Sequence, residues 1–138
     1  MGYRPDIRPI PTRKRQKSGI FSPNFGRFTI TRRNRMFERE KRYVTGGVDE
    51  RIPVDLQRLM WTSIDMRMLF ANEKIDYLQV FTFKKIDGVL ALHHEQEQPP
   101  MLNVHYTNYR PEYEEIINEK IFVIDDGDHS TMLFAYEY

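Results

Sequence analysis

Apolar residues recur with a helical period in one long stretch of the chain. Between Ile52 and Asn72 most apolar positions fall on one wide face when successive residues are placed 100° apart. Pro53 suits a first turn, Asp55 lies near the positive end of the helix dipole, and Asn72 could cap the C-terminus. The pattern therefore predicts one long helix that packs on a sheet. Its apolar face comprises Leu56, Leu59, Met60, Trp61, Ile64, Met66, Met68 and Phe70.

Elsewhere the period changes to the alternation typical of strands. Asp87-Gly88 and Gly127 are hairpin signals, and Gly46-Gly47 indicates a turn. The run 111–118 predicts one or two helical turns. We predict an α+β fold: one long helix packed on a largely antiparallel sheet of five or six strands, with a disordered basic N-terminal arm. The strand candidates are residues 41–45, 76–86, 89–98, 101–107, 120–126 and 131–138, the last with Met132, Phe134 and Tyr136 on one face.

The strands 89–98 and 101–107 bring histidines together if they form a hairpin with Glu97 opposite Met101. His93 then lies opposite His105 on a face shared with Glu95, and two imidazoles with a carboxylate suit zinc. The same face is also the one left for water, which favours a solvated surface. The opposite face would carry Leu90, Leu92, Val104 and Tyr106. This register predicts Leu92 and Tyr106 in the core and both histidines exposed.

Two further clusters carry candidate chemistry. Asp125, Asp126 and Asp128 converge on a glycine turn and offer hard oxygen ligands, but they lack the ligand spacing of an EF-hand loop. Asp and Gly are also the residues that hairpin turns require, which favours a structural turn. Trp61, with its neighbouring methionines, could line a partner groove, although residues at helical spacing more often belong to the core.

Charge divides the chain more sharply than its total of +1 suggests. Residues 1–35 carry eight Arg and two Lys against one Asp, a net charge of +9, whereas residues 43–138 carry −9. Prolines, glycines and the lack of a sustained apolar period predict that most of residues 1–35 are disordered. A nucleic-acid-binding arm would use phenylalanines for stacking and basic residues for phosphates. Those basic residues are Arg13, Lys14, Arg15, Lys17, Arg32, Arg33 and Arg35.

Three interpretations of this arm stay open. It could bind nucleic acid, it could be a passive solvated tail, or it could be untranslated. The third follows from Arg32-Arg33-Asn34-Arg35 before Met36, because purine-only arginine codons ahead of an AUG resemble a ribosome-binding site. We expect a basic extension over residues 1–35, a single globular domain over residues 36–138, and a fold that begins at or just after Met36.

Several function classes find no support in the sequence. There is no cysteine, which excludes disulfides, thiolate metal sites and a cysteine nucleophile. There is no glycine-rich phosphate loop and no G-x-S-x-G motif. No run reaches the roughly 18 apolar residues of a membrane span, and no signal-like segment occurs at the N-terminus. We therefore expect a cytoplasmic protein, without a predicted cofactor and without membrane contact.

Three blocks of the chain resemble a known family. MFEREKRYVTGGVDERIP, DYLQVFTF and IFVIDDGDHSTMLFAYEY are similar to the opening, central and closing blocks of domain-of-unknown-function family 960, over residues 36–138. The resemblance implies a small protein of Gram-positive bacteria or their phages and other mobile elements. It also implies a chain that begins near Met36. It implies no reaction, cofactor or catalytic residue.

These observations favour a non-enzymatic interaction or regulatory module that acts through protein contacts. Its partner is a protein, and a homodimer through an open sheet edge is one form of that contact. Two alternatives stay open: a nucleic-acid-binding protein that uses the basic arm, and a divalent-metal-dependent enzyme.

Overall fold

The computed structural model describes residues 7–10, 36–70, 74–109 and 114–138. Seven strands form one sheet in the order β1-β2-β7-β6-β3-β4-β5, so β1 and β5 are its edges. Short 3-10 helices lie at Arg39–Lys41, Glu114–Ile116 and Ala135–Glu137. The main elements are β1 (Ile7–Pro9), β2 (Arg42–Thr45), α1 (Gly46–Arg51), α2 (Val54–Phe70), β3 (Leu78–Ile86), β4 (Val89–Gln96), β5 (Met101–Tyr106), β6 (Lys120–Asp125) and β7 (Ser130–Phe134).

The α+β class and the one long helix are confirmed, but the prediction of five or six strands is wrong. Five of the six described pairings are antiparallel, and β2 pairs with β7 in parallel, which makes the seven-stranded sheet mixed. The strand that the sequence pattern missed is β1. Three residues that include Pro9 are too short to show the alternation by which strands are recognised.

Helix α2 packs across one face of the sheet, which we call the inner face. Leu56, Met60 and Ile64 are fully buried there against residues such as Phe81 and Leu92. The predicted cap Asn72 lies outside the described residues.

The predicted Gly46-Gly47 turn is wrong, because these residues begin helix α1. Thr45 caps the helix, and its hydroxyl accepts a hydrogen bond from the backbone N–H of Val48 at 3.2 Å. A threonine cap satisfies an N–H that the helix itself cannot.

The Asp87-Gly88 hairpin is confirmed, and both residues have the positive φ that a two-residue turn of this type needs. The prediction for Tyr136 is wrong. Met132 and Phe134 are buried, but Tyr136 is 62% exposed because the chain leaves the sheet for a 3-10 helix after Phe134.

The predicted register of β4 and β5 is wrong by one residue. His105 lies opposite Leu92, and Val104 lies opposite His93. The loop between the strands spans the four residues Glu97–Pro100, since Gln96 pairs directly with Met101. A slip of one residue turns every side chain of a strand to the other face. The side chain of Tyr106, which we expected in the core, is therefore 64% exposed.

Part of the N-terminal region belongs to the sheet, which the sequence did not predict. Strand β1 pairs antiparallel with β2, and Arg8 forms an ion pair of 3.0 Å with Asp49. The backbone N–H of Ile10 donates to the carbonyl of Arg42. Residues 11–35, which contain every candidate nucleic-acid contact, lie outside the described residues. Their disorder, and a fold that starts at Met36, stay predictions.

No helix of the described chain combines the length and apolar character that crossing a bilayer requires.

Candidate functional site

The aspartate cluster of the β6–β7 turn is engaged by the backbone. The Asp126 carboxylate accepts hydrogen bonds from the N–H groups of Asp128 and His129, at 2.9 and 3.0 Å, and these bonds lower the pKa of Asp126. Asp125 accepts from Gly127 at 2.8 Å and from the backbone N–H of Phe37 at 2.6 Å. Among the described residues no group of His, Asp and Glu has the arrangement of a metal site. The geometry is that of a structural turn that ties residue 37 to β6.

Trp61 lies in the core rather than at the surface. Its ring is buried, and the guanidinium carbon of Arg42 lies 4.7 Å from the ring centroid. Arg42 is held in turn by an ion pair with Asp65. A cation over the face of an indole ring is attracted by its quadrupole, so this contact stabilises the core. The ring also contributes to the lining of a cavity beside β1, together with Pro9 and Val44. The predicted role of Trp61 in a partner groove therefore stays a prediction.

The structure does not bring the three weak metal candidates together. His93 and Glu95 lie on the outer face of β4, which is the face away from α2. His105 lies on the inner face, opposite Leu92. The register of the two strands separates the candidate ligands, so the described residues give no zinc site at this place.

A buried polar network connects α2 to the last three strands of the sheet, and sequence reasoning missed it. The hydroxyl of Ser63 lies 2.7 Å from Nδ1 of His94 and 2.9 Å from Nε2 of His105. Nε2 of His94 lies 2.6 Å from Oε1 of Gln79. Ser63 comes from α2, His94 from β4, His105 from β5 and Gln79 from β3.

The direction of each hydrogen bond follows from Gln79. Its amide nitrogen donates to the Asp76 carbonyl at 2.8 Å, which leaves Oε1 as an acceptor for His94 Nε2–H. Nδ1 of His94 then has no proton and accepts from the Ser63 hydroxyl. The Ser63 oxygen accepts from Nε2–H of His105. The network is a single directed chain in which every ring nitrogen named has one role.

Burial keeps both histidines of this network neutral at pH 7. Desolvation, with His105 and Arg67 nearby, lowers the pKa of His94 to about 3, and burial also lowers the pKa of His105. A serine beside a neutral imidazole resembles a nucleophile with its base. Ser63 and His94 are buried, however, so a substrate could not reach either atom without opening the helix–sheet interface. The arrangement positions β4 and β5 against α2.

The network has a direct consequence for the outer face of β5. Because His105 points inward to Ser63, its alternating neighbours point outward. Leu102, Val104 and Tyr106 are 57%, 38% and 64% exposed, and we call these three residues the β5 stripe. No residue of Met101–Tyr106 carries a formal charge, since its histidine is neutral. The result is an apolar outer surface on an edge strand.

The backbone of the stripe faces the open edge. The N–H of Thr107 donates to the carbonyl of Leu90 at 3.0 Å, and these two residues lie opposite one another in the register of β4 and β5. In an antiparallel pair such hydrogen-bonded positions alternate along the strand. Asn103 and His105 therefore bond to β4, whereas the backbone groups of the β5 stripe point away from it. Within the described part of the chain no strand pairs with that edge.

Comparison with known proteins gives a family but no activity. The family model described as "Staphylococcal protein of unknown function (DUF960)" matches residues 41–137. The chain belongs to the DUF960 family. This confirms the resemblance predicted from the three sequence blocks. None of the curated proteins compared matches the chain.

A solved structure supports the fold of this DUF960 protein. The crystal structure of a protein of unknown function from Enterococcus faecalis is similar to it, with a TM-score of 0.62 and 24% identity. The similarity covers 71% of this chain and 90% of the other. At this identity the likeness shows a common fold, and it assigns no residue of the β5 stripe or of the polar network a role.

Proposed function

We propose that this DUF960 protein is a non-enzymatic cytoplasmic interaction module, and that it binds a protein partner by strand addition at β5. One observation carries the proposal: β5 is an uncharged edge strand whose outward side chains, the β5 stripe, are apolar and exposed. An added strand would take its affinity from the open backbone groups and its specificity from the stripe.

The composition of β5 is unusual for an edge that stays free. Edge strands are ordinarily protected by lysine, proline, bulges or a short length, because an unprotected edge pairs with other chains. Between Met101 and Tyr106 there is no proline and no formal charge, and the strand spans six residues. The absence of charge, of proline and of a short length supports a strand that is used for binding.

The non-enzymatic part of the proposal has its own support. The Ser63–His94 pair is the most reactive-looking arrangement in the described structure, and it is buried beneath α2. A general base must come within hydrogen-bond reach of a proton on a bound substrate. Both ring nitrogens of His94 are instead hydrogen-bonded, one to Ser63 and the other to Gln79. No described contact favours the nucleic-acid or metal-enzyme alternatives, which stay predictions.

Site-specific photo-cross-linking tests the proposal in the bacterial host. A benzophenone amino acid replaces Tyr106 in one variant and Tyr77 in the other, since both tyrosines are exposed aromatic residues and only the first lies on β5. We expect a discrete protein adduct from position 106 and none from position 77. Equal adducts from both positions, or none from either, would contradict the proposal.

Identification of the adduct leads to the quantitative test. The cross-linked protein is purified, and its binding to the full chain is compared with binding to Val104→Lys and to Thr62→Lys, an exposed position on α2. A lysine in the stripe should weaken binding about 100-fold or more, because its ammonium must be desolvated at the new strand pair. Unchanged binding to Val104→Lys would contradict the proposal.

A further inference from the structure

We infer that the strand added at β5 is β5 of a second copy of this chain, and that a two-fold axis passes between the two Val104 residues. The inference rests on the proposed function, because it names the occupant of the same edge. Three observations support a second copy: the register that the strand allows, the side chains that this register brings together, and the absence of charge along it.

Symmetry restricts the register first. A two-fold axis perpendicular to a sheet joins two copies of one edge strand antiparallel and keeps each side chain on its own face. Opposing residues must then lie on the same face of the sheet, whereas successive residues of one strand lie on opposite faces. The axis therefore passes beside one residue, which faces its own copy, and not between two successive residues. Beside Val104, the axis pairs Val104 with Val104 of the partner subunit and Leu102 with Tyr106 of the partner subunit.

This register uses all the open backbone groups of the β5 stripe. Leu102, Val104 and Tyr106 point their N–H and C=O groups to the edge, and each becomes a hydrogen-bonded position in the new pair. The neighbouring choice, with the axis beside Asn103, places Tyr106 opposite Pro100 of the partner subunit. Proline has no N–H to donate, so that register leaves part of the edge unpaired. With the axis beside His105, Leu102 would lie opposite Asn108 of the partner subunit, a position beyond the end of β5. The axis at Val104 is therefore the one that pairs all three open positions within the strand.

The side chains agree with the same register. On the outer face it joins the stripe of one copy to the stripe of the other, apolar against apolar. On the inner face it places Asn103 opposite the partner's His105, so that polar side chains also meet polar ones. Met101–Tyr106 carries no formal charge, so the two strands do not repel one another. A strand that is complementary to itself in backbone, outer face and inner face fits a second copy.

The absence of cysteine makes the register directly measurable. Any disulfide must come from an introduced cysteine. A hydrogen-bonded pair has Cα atoms about 5.5 Å apart, within the range that a disulfide spans. Under mild oxidation Val104→Cys should therefore form a covalent dimer. In Leu102→Cys the two cysteines would lie roughly 14 Å apart, at about 3.4 Å per residue, and should stay reduced.

A mixture of Leu102→Cys and Tyr106→Cys tests the same register in case Val104→Cys disturbs the fold. Leu102→Cys and Tyr106→Cys should cross-link with each other much faster than either does with itself, because the register places them opposite. Sedimentation equilibrium over the micromolar range should show a reversible dimer for the full chain and a monomer for Val104→Lys. Cross-linking that is equally fast for Val104→Cys and Leu102→Cys would overturn the register.

The outcomes separate this inference from the proposed function. A full chain that is monomeric, together with a position-106 adduct to another protein, would overturn the second copy and leave strand addition at β5 in place. A full chain that is monomeric with no adduct would overturn both. A position-106 adduct with twice the mass of the chain, together with the Val104→Cys dimer, supports both.

Discussion

The two edges of the sheet are built in opposite ways. β1 has three residues, one of them Pro9, and its Arg8 pairs with Asp49 and Glu50 at 3.0 and 3.4 Å. β5 has six residues, no proline and no formal charge, and its outward side chains are the exposed β5 stripe. Short length, proline and charge protect an edge against further pairing. One edge of this sheet has all three protections and the other has none.

The difference shows that the open β5 edge is a specific property of this strand. A chain that protects one edge could protect the other with a single lysine. Beneath β5 lies a buried hydrogen-bond network instead. In this network Ser63, His94 and His105 hold the β5 stripe outward. A buried polar network fixes one arrangement by penalising those that leave its groups unpaired. Here the arrangement that it fixes is the one that exposes apolar residues.

The largest expected effect comes from removing the centre of that network. His94→Ala should lower the free energy of unfolding by about 3 kcal/mol or more. The substitution leaves a cavity, and it leaves the Ser63 hydroxyl and the side-chain carbonyl of Gln79 without their hydrogen-bond partner. Urea denaturation measures the loss, and Thr62→Ala on the exposed side of α2 is the matched control. A loss as small as that of the control would mean that the network does not hold β4 and β5.

The next effect is a dependence of stability on pH. The pKa of His94 is about 3 in the fold and 6.5 for a free histidine, so the unfolded chain takes up the proton first as pH falls. The contribution of neutral His94 to the free energy of unfolding is complete above pH 6.5. Below that pH the free energy of unfolding should decline by about 1.4 kcal/mol per pH unit. Urea midpoints between pH 7.5 and 5 measure this slope. His94→Gln should flatten it, and a wild-type chain with no slope would contradict a buried neutral His94.

A smaller effect distinguishes the observed register from the one that the sequence favoured. Val104→Lys should change the free energy of unfolding of the dilute chain by at most about 1 kcal/mol, because the side chain points to solvent. In the register expected from the sequence, the same lysine would be buried, and the loss would be several kcal/mol. Chemical denaturation at low protein concentration decides between the two faces.

The smallest effect belongs to the protected edge. Arg8→Ala should cost about 0.5 kcal/mol, and the cost should diminish at high salt, since its ion pairs with Asp49 and Glu50 are exposed. Denaturation at two salt concentrations measures it. A cost of several kcal/mol that is insensitive to salt would show that β1 is anchored by something other than these ion pairs.

The sequence predicted those parts of the fold whose signal is local. The period of α2, the Asp87-Gly88 turn and the alternation of β3 and β4 were sufficient for the α+β class and the long helix. β1 was missed because three residues carry no period. Alternation in β5 was also recognised, but alternation separates two faces without saying which one is buried.

The β5 face could not be predicted because its cause is tertiary. Val104 and Tyr106 were assigned to the face of the core on the ordinary rule that apolar residues are buried. The opposite outcome depends on Ser63 and the two histidines, which are separated by 31 and 42 residues from the serine and meet only in the fold. A polar residue at position 63 on the apolar face of α2 was the one available signal. Such conflicts between local rule and structure are expected where function lies.

Residue-resolved amide hydrogen exchange measures directly whether the open edge of β5 pairs with a second copy. In concentrated protein the N–H groups of Leu102, Val104 and Tyr106 should be protected, and on dilution they should exchange freely while those of Asn103 and His105 stay bonded to β4. The amide of Arg8 on β1 should show no dependence on concentration. We therefore expect protection along β5 that alternates from residue to residue and depends on concentration. Protection of all five of these β5 amides at every dilution, or of none of the three stripe amides at any concentration, would contradict strand pairing at this edge.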